Sequence, residues 1–243
     1  MNQYKSSAEL KDLAKEKLIG RYGITMSAFI LVSCITYLIT FLVTGSMPTQ
    51  TTTQYVIYSL VTGIISVFLG VFQTGTSLFY LNIACGQPYR LEDIFYGISN
   101  QPSRSITVSL ANTLANWVCL TPTQIFLLLF MNSESITYLM LMFVATGVGL
   151  LIYVPVSLAI SQSFYILLDF PEYTGKQALA ASWKLMKGHK GRLFYIQVSF
   201  LPLMILSFLS CGLGFLWLTP YMNMTYTLFF LDIMNPAKAT VEI

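Results

Sequence analysis

Long apolar runs separated by short polar stretches set the rhythm of this chain. Six runs stand out, near residues 22–44, 56–84, 106–131, 136–168, 194–211 and 213–233. Each approaches the ~20 residues a helix needs to cross a bilayer. The fourth exceeds the thickness of a hydrocarbon core, so it is expected to tilt or to project into water. The last two meet at Cys211-Gly212-Leu213-Gly214, which reads as a tight turn. The first run follows a charged, helix-like stretch and outlasts the about 7–15 apolar residues of a signal peptide. It is therefore expected to be a retained span.

A different period occupies the polar stretches. Leu10, Leu13, Ala14 and Leu18 share one helical face before the first run. Leu91, Ile94, Phe95 and Ile98 fall at i, i+3, i+4 and i+7 before the third, and Leu179, Trp183 and Met186 share a face before the fifth. These are helix periods, too short and too charged to span, and such helices lie in the membrane interface. The chain thus reads as an amphipathic helix plus two spans, three times over. Within the later copies, Gly147, Gly149, Pro155, Phe164 and Tyr165 recur at Gly212, Gly214, Pro220, Phe229 and Phe230, a constant offset of 65. In the first copy Phe79-Tyr80 supplies the aromatic pair, and Gly70 stands in place of the proline. The expected fold is an all-α integral membrane protein with six transmembrane helices, three cytoplasmic interfacial helices and pseudo-threefold repetition. It forms a single domain over residues 1–243.

Composition supports bilayer as the solvent. Hydrophobic residues make up 55% of the 243 and charged residues 9%, against about 25% charged in a soluble domain. The mean hydropathy is +0.67. A net charge of +3 does not point to nucleic acid. Charge placement is more informative. Every one of the 13 lysines and arginines falls before the first run, between the second and third, between the fourth and fifth, or after the sixth. With six spans those segments share one side, and the opposite loops hold only Glu134. Basic residues mark the cytoplasmic side of a membrane protein, which puts both termini there.

Candidate chemistry is sparse. The one histidine, His189, sits among Lys187, Lys190 and Arg192. Neighbouring positive charge disfavours imidazolium, and a lone histidine makes no zinc site. Metalloprotease, esterase and phosphate-loop motifs are missing from the chain. Cys34, Cys85, Cys119 and Cys211 follow no metal or disulfide spacing, although Cys85 stands at the end of a run, where acylation occurs. No catalytic, metal or cofactor-binding residue is assigned, and no cofactor is expected.

Three sets of residues remain. Lys184, Lys187, Lys190 and Arg192 are candidate contacts for anionic headgroups, which attract basic side chains at roughly 1 kcal/mol each. Their charge also serves topology. Pro155 and Pro220 are candidate helix kinks, each freeing a backbone carbonyl. They read as packing kinks, with a broken helix lining a substrate site as the alternative. Asn112, Asn116, Gln124 and Gln162 are a candidate polar interior, read first as interhelical glue. Ser66 with Gly70, and Ser210 with Gly214, are small-residue pairs for close helix approach, within the bundle or between copies.

The stretches "ALAASWKLMKGHKGRLFYIQVSF" and "GLGFLWLTPYMNMTYTLFF", with the opening "LKDLAKEKLIGRYG" and the middle "SLFYLNIACGQPYRLEDIFYGI", resemble the bacterial membrane-protein family catalogued as domain of unknown function 975. The resemblance covers nearly the whole chain. It implies a multi-span protein of the bacterial plasma membrane, without an established activity. The expected function is non-enzymatic: organising or protecting the bilayer, or holding a membrane protein or peptide partner, with membrane lipids as ligands. The alternative is a transporter or channel for a neutral or lipid-like substrate.

Overall fold

The computed structural model describes residues 4–49, 51–100 and 102–234. In chain order the helices are α1 (Ser7–Leu18), α2 (Tyr22–Thr44), α3 (Thr52–Leu69) and α4 (Val71–Cys85), then a 3-10 turn (Leu91–Phe95) running into α5 (Tyr96–Ser99). They continue with α6 (Pro102–Ser133), α7 (Ile136–Ile160), α8 (Ser163–Asp169), α9 (Gly175–Leu185), α10 (Lys190–Val198), α11 (Leu201–Leu209) and α12 (Phe215–Met234).

Among the described residues, five helical runs are long and apolar enough to cross a membrane: Tyr22–Thr44, Thr52–Cys85, Pro102–Ser133, Ile136–Asp169 and Lys190–Leu209. They fit a membrane protein, because their outer faces are apolar and uncovered. Val118, Leu151 and Phe208 are each at least 70% exposed. The sixth expected run coincides with α12 but is less apolar. The reason lies in its surroundings. Met224, Thr225, Thr227, Phe229, Phe230 and Asp232 are all buried, so this helix faces protein, where hydroxyls can find partners.

The short amphipathic elements are set by their caps. Ser6 and Glu9 form a reciprocal capping box at the start of α1, and Thr174 with Gln177 repeats it at α9. Each amphipathic element packs on one of the later helices of an apolar run. The 3-10 turn lies on α4, α9 lies on α8, and α1 lies on α12. These contacts are close: a Cβ added at Gly75 of α4 would stand 1.9 Å from the Ile94 carbonyl oxygen. Aromatic side chains fill the centre, with Phe79, Tyr80, Phe229 and Phe230 at most 2% exposed.

The prolines do not interrupt their helices. α7 runs through Pro155 and α12 through Pro220. The run 136–169 is interrupted later, at Ser161-Gln162, and α12 has no counterpart break. The cause is a side chain entering the backbone ladder. Ser182 Oγ donates to the Ala159 carbonyl (2.8 Å) and accepts from the Gln162 amide (3.2 Å). Residues 147–169 thus hold a break that residues 212–234 do not. The small-residue pairs act within the chain. A Cβ at Gly70 would meet Ser109 Oγ of α6, and one at Gly214 would lie 2.6 Å from Ser207 Oγ.

Candidate functional site

The basic end of the molecule is built from α9, the turn after it and the start of α10. The buried face of α9 consists of Gly175, Ala178 and Ser182, continued by Met186. Leu179, Trp183 and Met186 were expected to turn towards lipid or the bundle; Met186 is buried, Leu179 half-buried and Trp183 50% exposed. Close approach sets which side is buried. A Cβ at Gly175 would fall 2.6 Å from Thr107 Cβ and 2.8 Å from the Arg104 carbonyl. Only small residues fit against α6 there, which turns the indole outward.

α9 ends at Leu185, and Gly188 takes a left-handed conformation (φ +89°) that redirects the chain into α10. Gly20 (φ +74°) does the same between α1 and α2. Lys184 and Lys187 are exposed and Lys190 is half-buried. The Lys190 ammonium lies 4.5 Å from the Trp183 ring centroid, a cation–π contact that fixes it beside α7.

Arg192 differs from those lysines. Its Nη2 donates to Asp232 Oδ2 (2.6 Å) and to the Lys5 carbonyl (2.7 Å). The guanidinium packs over the rings of Tyr4 and Phe229. Asp232 is 3% exposed and also accepts from the Lys5 amide at 3.2 Å. Arg192 therefore neutralises a buried carboxylate and ties α1, α10 and α12 together, which corrects its expected place among the headgroup contacts. His189 stands edge-on to Tyr4 at 4.8 Å. Burial, then the Arg192 charge, holds its imidazole below the ordinary value. Lys11 also turns inward, donating to the Ser199 carbonyl (3.1 Å) over the Phe200 ring. Burial, then Lys15, lowers its ammonium from the ordinary value.

The expected polar interior is not one site. Asn112 is exposed and accepts from the Tyr153 hydroxyl at 3.3 Å. Gln124 is exposed and accepts from the Tyr55 hydroxyl. Asn116 is half-buried on the same helix. These amides lie on α6, an outer helix, and two of them pin it to α7 and α3. Gln162 alone is buried, 2% exposed at the α7–α8 break, its Nε2 donating to Ser161 Oγ. The buried polar groups of the centre sit elsewhere. Tyr165 OH and Thr227 Oγ1 bond at 3.0 Å between α8 and α12, and Thr74 bonds Ser105 at 2.7 Å between α4 and α6. Ser182, Thr227 and Asp232 escaped the sequence reading. Their one signal was position: Thr227 and Asp232 lie within two residues of the Phe229-Phe230 pair.

Two cavities open on the outer helices. One of about 430 Å³ lies beside α11 and α12, near Ser207 and Trp217. A groove of about 490 Å³ runs between α7 and α10, with Lys190 at its basic end.

An all-helical architecture with five membrane-compatible runs and a lysine-rich end defines a helical membrane-type protein. The family described as Protein of unknown function (DUF975) matches residues 1–237, and the chain belongs to that family. No curated protein and no solved structure matches the chain.

Proposed function

We infer that this is a six-span, non-enzymatic protein of a bacterial plasma membrane that gathers anionic phospholipid at its cytoplasmic face and so organises the surrounding bilayer. In this reading α12 is the sixth span, surrounded by protein rather than lipid. The 20 residues Phe215–Met234 cover ~30 Å at 1.5 Å each, the thickness of a hydrocarbon core. The pseudo-threefold repeat is supported by the packing of amphipathic elements on α4, α8 and α12.

One observation carries the function. Lys184, Lys187 and Lys190 flank an outward-facing Trp183, while the described ion pairs are Lys15–Asp12 and Arg192–Asp232. Three ammonium groups without a carboxylate partner among the described residues, beside an interfacial indole, suit anionic headgroups. The aromatic packing at the centre favours a scaffold over a central pore. The test is phosphatidylglycerol retained per protein after reconstitution in mixed phosphatidylcholine and phosphatidylglycerol vesicles and re-extraction. The Lys184→Gln, Lys187→Gln, Lys190→Gln triple variant should retain at least roughly tenfold less, with ~1 kcal/mol per lysine setting an unscreened ceiling of roughly 150-fold. The difference should shrink with salt. Equal retention by a correctly inserted triple variant leaves these charges with topology alone.

A carrier for a neutral or lipid-like substrate is the second reading. It is favoured by a cavity of about 220 Å³ between α2, α4 and α12, lined in part by Thr76, Tyr80, Thr219 and Asn223. It requires protein-dependent leak of a neutral polyol from sealed vesicles.

A further inference from the structure

We propose that the groove between α7 and α10 is a seat for one acyl chain of an anionic glycerophospholipid, whose phosphate rests against Lys190. This rests on the lipid-binding reading above and names the site within it. The groove runs along α7 from Gly147 to Leu158, with Phe194 and Gly191 of α10 opposite. Eleven helical steps cover roughly 16 Å. That is about half of a ~30 Å hydrocarbon core, the depth one acyl chain occupies. Its walls are apolar, and Leu151 and Phe194 remain 77% and 48% exposed without a protein neighbour to cover them.

The charge stands at one end only. Lys190 is the single charged residue of the lining, and its ammonium is held by the Trp183 ring. Between Glu172 and Asp232 the sequence has no acidic residue, and Asp232 is already engaged by Arg192. A phosphate at the mouth therefore meets Lys190, with Lys187 close in sequence, and no competing carboxylate on this segment. An apolar slot one leaflet deep with a cation at the interface matches a phospholipid more closely than a second protein helix. A helix of comparable depth has no anion fixed at the interface. Gly147 and Gly191 have open space where a Cβ would stand. The groove can thus be filled by substitution without forcing the backbone.

The experiment uses the full chain in phosphatidylcholine nanodiscs carrying a trace of a phospholipid with a photoactivatable diazirine in mid-chain. Phosphatidylglycerol and phosphatidylcholine forms are compared, and crosslinked peptides are located by mass spectrometry. The phosphatidylglycerol probe should label residues 147–158 and 191–194 above the exposed α2 surface at Tyr37 and Leu38, and about fivefold above the phosphatidylcholine probe. Lys190→Gln should bring the two probes level, and Lys190→Arg should restore the preference. Gly147→Leu should lower groove labelling by both probes while leaving the α2 surface unchanged, and Gly191→Leu repeats this from the other wall. Groove labelling no higher than that of α2, equal labelling by the two probes in the parent, or full labelling in both filled variants overturns the seat. If the lysine triple variant still loses bulk phosphatidylglycerol in that case, the groove fails and the broader lipid-binding reading stands.

Discussion

Replacing Arg192 with glutamine removes the cation that neutralises Asp232, a carboxylate with 2% of its side chain exposed. Removing one partner of a fully buried pair costs about 3–5 kcal/mol, because the remaining charge is stranded. Arg192 itself is 27% exposed, so water screens the pair from one side. Asp232 also keeps its bond from the Lys5 amide. The expected cost is therefore about 2–3 kcal/mol, below the fully buried case. At ~2–4 °C per kcal/mol for a chain of this size, the midpoint of thermal unfolding in detergent should fall by about 4–12 °C. Asp232→Asn removes the charge while keeping an acceptor. The Arg192→Gln, Asp232→Asn double variant should recover at least ~1 kcal/mol relative to the sum of the singles. Because the Arg192 guanidinium also holds the Lys5 carbonyl, Arg192→Gln should speed tryptic cleavage at Lys5 and Lys11. Additive single effects, or two singles as stable as the parent, would refute the pair's role in tying α1 to α10 and α12.

Acidification should loosen the same corner. The His189 imidazole is held below its ordinary value, so the fold favours its neutral form. That contribution is complete above the ordinary value and is lost as pH falls through it towards the lowered one. His189→Gln should flatten the decline in thermal midpoint measured from about pH 8 to about pH 5. Gly75→Ala should cost about 1–3 kcal/mol or more, because its Cβ meets the Ile94 carbonyl. Gly147→Ala, with open space, should stay within ~0.5 kcal/mol in the same melts. Ser182→Ala leaves the Ala159 carbonyl and the Gln162 amide without their buried partner. It should lower stability by about 1–3 kcal/mol, read as a fall in the denaturant midpoint.

The outer helices were legible because lipid accepts any apolar residue, so α2 reads as continuous apolar sequence. The amphipathic elements were legible as helices by period, yet the face of α9 was not. In a bilayer both lipid and bundle take apolar side chains, so Leu179 and Trp183 cannot reveal which side is which. Packing density decides it, and Gly175, Ala178 and Ser182 mark the tight side. On α6 polarity signalled interhelical bonding but not its place in the bundle. Asn112 and Gln124 bond tyrosines of neighbouring helices from the periphery rather than lining a centre. Pro155 read as a packing kink, and α7 runs through it without interruption. The real break depends on a serine 20 residues beyond Gln162, which no local period encodes. Arg192 read as one more basic interfacial residue until its carboxylate partner, 40 residues away, came beside it.

The membrane path of α12 is the point on which the six-span account turns. An epitope tag placed after Ile243 and a single cysteine at Ser133, in an otherwise cysteine-free chain, can be probed in intact cells with an impermeant reagent and antibody. The account predicts that Ser133 is labelled from outside while the tag is reached only after the membrane is opened. A cysteine at Lys187 should behave like the tag. A tag reached in intact cells, with Ser133 labelled and Lys187 protected, would mean that only five runs cross. The central helix would then not be a span, contradicting the threefold repeat in the bilayer.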